Sequence, residues 1–299
     1  MSKIYEALNR AESDLAGSTE TIVKMLAPLR VTSTNPNHVS SVPSNTPEAL
    51  GFDLSRIREA SWSPNLSALP ALQERGGALE QFRGLRSHIQ QFRDLNNLKT
   101  LLISSGLPQE GKSFVSANLA ISFARHKSAK VLLIDGDMRR GSLHKMLGTK
   151  NRPGLTEYLS RDADLEDVMQ RARADEQAGP LPKGLSSLVF IPSGGDADNA
   201  AELSGSPRFA ELLSRVSPLF DWIIVDTSPV NLVSDGVNLA RHCDAALLVA
   251  RGGVTEFKTA QRAVSELKAS TILGFVLNAV PDPKSASRYY GYDSVETKA

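Results

Sequence analysis

The string Gly106-Leu-Pro-Gln-Glu-Gly111-Lys112-Ser113 constrains this chain more than any other feature. It follows an apolar run, Thr100-Leu-Leu-Ile-Ser104, and precedes a helical pattern from Ser113 to about His126. A G-x-x-x-x-G-K-[ST] loop between a buried strand and a helix is built to cradle phosphate. Its glycines let the backbone wrap closely so that N–H groups point inward, and the helix start adds the positive end of its dipole. Lys112 then reaches the β and γ phosphates, and the Ser113 hydroxyl suits Mg²⁺, a hard cation that prefers oxygen. Nucleotide contacts are expected from Gly106, Leu107, Pro108, Gln109, Glu110, Gly111, Lys112, Ser113 and Phe114.

The rest of the pattern says what carries this loop. Short runs rich in Leu and β-branched residues recur at 131–134, 188–191, 222–225, 245–250 and 273–277, with helical patterns between most of them. Such runs bury both faces of a strand, and their alternation with helices implies an α/β fold: a mainly parallel sheet with helices on both faces, in the manner of P-loop NTPases. This domain is expected over 78–282.

Before it, Ile4, Leu8, Ala11 and Leu15 recur at helical spacing, so 1–30 reads as an amphipathic helical segment. Its stripe either packs on its own domain or docks to another protein, and the residues leave both open. Over 31–47, 13 of 17 residues are Ser, Thr, Asn or Pro. Together with a mixed stretch up to 77, containing a weak helix near 54–60, this reads as a flexible linker. A tail with little apolar content is expected over 283–299, and it carries three of the five tyrosines: Tyr289, Tyr290 and Tyr292.

Lys plus Arg is 34 and Asp plus Glu is 33, a formal charge of +1, so no global field draws the chain to nucleic acid or to an acidic membrane. The lone Cys243 excludes an intramolecular disulfide framework and a Cys-rich zinc site. No run reaches the ~18 apolar residues of a spanning helix, and the start has no apolar signal core. The cytoplasm is the compartment expected from these features. The five histidines lack metal-ligand spacing and read as ordinary surface or core residues.

Two acidic motifs lie at the carboxyl ends of predicted strands, where open α/β sheets bind ligands. Val131-Leu-Leu-Ile-Asp135-Gly-Asp137-Met-Arg139 supplies two carboxylates and a guanidinium, and Trp222-Ile-Ile-Val-Asp226-Thr-Ser-Pro229 supplies a third carboxylate in a Walker B pattern. One Asp after a strand is as readily a cap or turn former. Three of them beside a phosphate loop point to Mg²⁺ and phosphoryl chemistry. Asp137 and Asp226, with Ser113, are the expected metal shell, and Asp135 the expected acceptor of a hydroxyl proton. Arg139 either clamps phosphate, orients a carboxylate or is solvated beside Arg140. Glu80, Arg83 and Arg86 share roughly one helix face, where they can pair within the helix or with carboxylates across a subunit boundary.

These residues together resemble the bacterial tyrosine kinases, P-loop autokinases of capsule and exopolysaccharide systems. The resemblance covers roughly 78–292. It rests on the Walker A loop, the D-x-D-x-R motif at Asp135, Asp137 and Arg139, the D-x-x-P motif at Asp226, and the E-x-x-R-x-x-R helix at Glu80, Arg83 and Arg86. Met1 to Glu12 is similar to the start of tyrosine autokinases found beside exosortase-linked loci. The resemblance implies ATP and Mg²⁺ as cofactors, Asn278 as a further nucleotide contact, and ring-like self-assembly through the Glu80 helix. It further implies that Tyr289, Tyr290 and Tyr292 are phosphorylated by a neighbouring subunit. Expected partners are a membrane polysaccharide co-polymerase that activates the kinase at the inner face of the plasma membrane, and a cognate tyrosine phosphatase. Ser228 stands where the family commonly has a second proline.

Two other readings keep the nucleotide site. A nucleotide-switched positioning or partition ATPase, of the MinD or ParA kind, would carry a lysine where this chain has Leu107. A non-kinase ATP-binding adaptor would have no need of Lys112 with Asp135, Asp137 and Asp226.

Overall fold

A computed structural model describes residues 19–26, 56–126, 129–173 and 181–281. The apolar runs form strands close to where periodicity puts them: β3 (Thr100–Ser105), β4 (Val131–Asp135), β6 (Leu188–Ile191), β7 (Trp222–Asp226), β8 (Ala245–Arg251) and β9 (Ile272–Pro281). Three shorter or more polar strands complete the sheet: β1 (Thr19–Leu26), β2 (Arg58–Ala60) and β5 (Gln170–Ala172). The order is β1-β9-β8-β3-β7-β4-β6-β5-β2. From β9 to β6 every pairing is parallel; β1 on β9 and β5 on β6 are antiparallel, and β2 runs parallel to β5.

A strand points successive side chains to opposite faces, so an all-apolar run feeds two core layers. In β4, Leu132 and Ile134 enter one layer while Val131 and Leu133 enter the other. Trp222 and Ile224 of β7 likewise part from Ile223 and Val225. Helices α1 (Gly77–Asn96) and α2 (Lys112–Ala124) cover one face. The other is covered by short helices α4 (Leu155–Ser160), α5 (Leu165–Val168) and α6 (Ala200–Ser204), with α7 (Arg208–Val216), α8 (Asp235–Ala240) and α9 (Phe257–Glu266). Helix α3 (Leu143–Leu147) follows the loop after β4.

Helix α2 is the centre of its layer, with every residue from Val115 to Ala124 buried. Phe123 stacks on Trp222 with ring centroids 4.1 Å apart, and the Arg93 guanidinium of α1 lies 4.7 Å from the Trp222 ring. These contacts fix the last turn of α2 to the first residue of β7, at the opposite end of both elements from the phosphate loop and Asp226.

The chain before the domain departs from the sequence reading. Thr19–Leu26, expected within a helical segment, is the edge strand beside β9. The region 56–77, expected as linker, folds onto the domain instead. β2 replaces the weak helix, a 3-10 turn at Pro70–Leu72 is buried, and Trp62 meets Phe190 edge-to-face at 6.2 Å. Asn118 of α2 fastens this region by accepting the Ala71 N–H at 3.0 Å and donating to the Ala68 carbonyl at 3.0 Å. A three-residue strand and a Pro-flanked turn carry too few apolar positions to show a period; an existing sheet edge and a buried asparagine define them. The Ile4 to Leu15 stripe, the 31–47 stretch and the 283–299 tail lie outside the described residues.

Candidate functional site

The phosphate loop connects the end of β3 to the start of α2, and its glycine before Lys112 has a specific reason. Gly111 caps α2 in the left-handed region at φ 93°. A β-carbon there would lie 1.9 Å from Asn278 Nδ2. That amide donates to the Glu110 carbonyl at 3.0 Å, so Asn278 braces the loop from beneath. Glu110 is 3% exposed; its Oε2 accepts the Leu107 N–H at 2.7 Å and its Oε1 bonds the Thr255 hydroxyl. The side chains of Glu110 and Asn278, both expected as nucleotide contacts, are engaged in building the loop.

In front of the loop lies a cleft of about 500 Å³. Pro108, Gln109, Gly111, Lys112, Ser113 and Phe114 line it, whereas Gly106, Leu107, Glu110 and Asn278 are not part of the lining, Leu107 being exposed to solvent and Glu110 and Asn278 buried. Asp137, Arg139, Arg140 and Ser142, after β4, form one wall; Ser228, Pro229, Leu232 and Val233, after β7, form the other. The cleft thus has a charged side and an apolar side.

Lys112 Nζ donates to Asp137 Oδ2 at 2.9 Å and stands 4.0 Å from Asp226 Oδ2. Ser113 Oγ donates to Asp226 Oδ2 at 2.6 Å, and Ser116 Oγ lies 3.0 Å from Asp226 Oδ1. Asp135 and Asp226 are register partners at the ends of β4 and β7, and neither is exposed. Burial first, and then the negative charge of its neighbour Asp226, raises the Asp135 pKa well above the usual carboxylate range. Burial likewise raises that of Asp226, although Lys112 and Ser113 act the other way. Burial alone would weaken the Lys112 ammonium, but Asp226, Asp137 and Asp135 outweigh it and raise its pKa, so it stays cationic.

The three carboxylates differ in what they can reach. Asp135 accepts the Asp137 N–H at 3.2 Å through Oδ1, and the Ser142 and Leu143 N–H groups, both at 3.1 Å, through Oδ2. It shapes the loop and the start of α3 and is walled off from the cleft, a position unlike that expected of a proton acceptor. Asp137 lines the cleft, holding Lys112 with one oxygen and the Arg140 N–H at 3.1 Å with the other. Arg139 makes a bidentate pair with buried Asp235, Nε to Oδ2 at 2.7 Å and Nη2 to Oδ1 at 3.3 Å.

The donor set fits a magnesium nucleotide. Ser113 Oγ and Asp226 offer hard oxygen donors next to a cationic lysine, at a loop whose backbone must come close to its ligand. Among the described residues no group of three or more His, Cys, Asp or Glu could hold a metal. Mg²⁺ bound partly through phosphate oxygens and water requires no such group.

On α1, a half-exposed Arg83 pairs with an exposed Glu80 one turn away. Arg86 turns inward and donates to the Ser122 carbonyl at 2.7 Å, leaving Arg83 and Glu80 on the outer surface. Tyr289, Tyr290 and Tyr292 lie outside the described residues. Sequence reasoning missed Ser116, Asp235 and Thr255. Ser116 was findable as the hydroxyl one turn beyond Ser113 on α2, facing the same way. Asp235 and Thr255 are far from their partners in sequence and carry no such signal.

No protein-family model matches the chain. It is 34% identical over 230 residues to the tyrosine-protein kinase Ptk of Acinetobacter johnsonii, covering 76% of this chain and 30% of that protein. It is 33% identical over 215 residues to the tyrosine-protein kinase YwqD of Bacillus subtilis, covering 71% of this chain and 85% of that protein. The kinase domain of the Escherichia coli tyrosine kinase ETK superposes with a TM-score of 0.66 at 31% identity, over 79% of this chain and 88% of that domain. The match thus spans about a third of a long relative but nearly all of a short one. With the same fold and a hydrogen-bonded Walker site behind these identities, the chain belongs to the bacterial tyrosine-protein kinase family.

Proposed function

We propose that this enzyme transfers the γ-phosphoryl group of ATP to tyrosines of its own tail, Tyr289, Tyr290 and Tyr292, in a neighbouring copy. The observation that carries the reading is the convergence of Lys112, Ser113, Asp137 and Asp226 on one cleft whose far wall is apolar. Such a cleft suits a polyphosphate on one side and an aromatic ring on the other. Phosphoryl transfer needs little covalent help from the protein; positioning and charge neutralisation supply most of the catalysis.

Lys112, released from Asp137 when phosphate enters, neutralises charge spreading over the transferred group. Ser113 and Asp226 would hold Mg²⁺, which would supply charge neutralisation at the phosphate oxygens. Asp137 faces the cleft and is freed as Lys112 moves, so it takes the phenolic proton while the tyrosine oxygen bonds to the γ phosphorus and the bond to the bridging oxygen of ADP breaks. Asp135 holds the loop that carries Asp137. The exposed Glu80–Arg83 pair on α1 lies where a second copy can reach it. Together with the resemblance to capsule and exopolysaccharide autokinases, this supports a homo-oligomer that regulates polymer assembly and export. It acts peripherally at the inner membrane face through a co-polymerase and is reset by a phosphatase. No helix among the described residues is long and apolar enough to cross a membrane.

The test is peptide mass spectrometry of the full chain incubated with Mg²⁺ and ATP. Phosphate on Tyr289, Tyr290 or Tyr292 is expected, lost in Lys112→Met and in the triple Tyr→Phe variant. Tyr158 is 2% exposed beneath Arg208 and is not available to a kinase site. Label elsewhere, or label retained in Lys112→Met, refutes the assignment.

A further inference from the structure

Arg139 belongs to the loop after β4, and Asp235 opens α8 beyond the loop after β7, so their pair joins the two walls of the cleft. The Asp235 side chain has no exposed surface, while that of Arg139 is 35% exposed. A fully buried carboxylate is costly to maintain, and an apolar residue at that position would serve packing at least as well. What the pair adds is direction. A guanidinium has five N–H groups in a planar fork. Asp235 takes Nε–H and one of those on Nη2, leaving three on a side chain that lines the same cleft as Lys112 and Ser113.

We infer that Asp235 is a positioning residue for phosphoryl transfer. By gripping Arg139 across the cleft it holds the remaining guanidinium N–H groups where charge develops only as the phosphoryl group is transferred, and fixes the distance between the Asp137 wall and the apolar wall. The inference rests on the kinase reading above. It predicts a defect in the transfer step more than in nucleotide binding, because the loop and Lys112 bind nucleotide without Arg139.

The experiment compares Asp235→Asn, Arg139→Lys and the double variant in the full-length chain. It measures binding of a fluorescent ATP analogue with Mg²⁺, the single-turnover rate of phosphotyrosine formation, and the thermal midpoint. Asn keeps the volume of Asp235 and one acceptor but loses the charge and the second acceptor. Misplacing a group by about an ångström can cost on the order of 100-fold in rate, and a loss of that size is expected for either single variant. Nucleotide affinity should stay within about threefold of the parent. The double variant should be no slower than the slower single one, since each breaks the same link. A parental rate in Asp235→Asn overturns the inference, as does a rate loss matched by an equal loss of nucleotide affinity. Should Asp235→Asn not fold, Arg139→Lys decides alone: it leaves Asp235 a cationic partner without the bidentate geometry, and an unchanged rate refutes the proposal. If the parent hydrolyses ATP but phosphorylates no tyrosine, the kinase reading fails, and the same comparison on hydrolysis decides the role of Asp235.

Discussion

Replacing Gly111 by Ala tests how the phosphate loop is held. Gly111 sits at φ 93°, where an L-residue costs about 1–2 kcal/mol relative to its ordinary conformations. The added methyl would also lie 1.9 Å from Asn278 Nδ2, roughly half a normal contact distance. Asn278 must move, which breaks its 3.0 Å bond to the Glu110 carbonyl. Leaving a buried group unsatisfied adds about 1–3 kcal/mol, so Gly111→Ala should lose about 2–5 kcal/mol in all. Asn278→Ala alone should lose about 1–3 kcal/mol through the same broken bond. In the double variant the clash is gone and the bond can be lost only once, so its cost should approach that of Gly111→Ala and fall short of the sum by about 1–3 kcal/mol. Urea unfolding at constant m-value measures the stabilities, and nucleotide binding should weaken in both variants that carry the added methyl. Additivity within about 0.5 kcal/mol would refute the contact.

Asp135→Ala removes the acceptor for three backbone N–H groups and should cost about 3 kcal/mol or more in thermal unfolding, whereas a catalytic role alone would leave stability intact. Arg86→Ala should lose about 1 kcal/mol through its bond to the Ser122 carbonyl. Arg83→Ala should stay within about 0.5 kcal/mol, as expected of an exposed ion pair. A smaller particle in light scattering for Arg83→Ala would then report on self-assembly, free of any folding defect. Burial first, and Lys145 second, holds the His144 pKa below 6.5, so protons bind the unfolded chain more readily. Its contribution is fully present above that value and is lost as pH falls through it. The thermal midpoint of the parent should therefore drop more steeply below about pH 6.5 than that of His144→Gln, and parallel curves would refute this.

The fold and the placement of the site were legible where local chemistry is dense. The phosphate loop declared itself because only a glycine tolerates the conformation before Lys112, and a lysine followed by a hydroxyl has few other uses there. The β4 and β7 runs were readable because strands buried on both faces must be apolar throughout, so a carboxylate at the end of each stands out. The sequence could not assign work among the acids. Asp135 and Asp137 are two residues apart and chemically alike, yet one is enclosed by backbone N–H groups and the other faces the cleft. That difference arises from how the loop after β4 folds back on α3.

Residue type and spacing thus determined the P-loop α/β fold and the presence of a nucleotide site, because both depend on short-range patterns of polarity and backbone freedom. The tertiary structure decided that Asn278 and Glu110 brace the loop, that Arg139 is tied to Asp235, and that Arg86 turns inward while Arg83 stays on the surface. These are pairings between distant parts of the chain, and a pairing of that kind exists only once the sheet has brought its strand ends together.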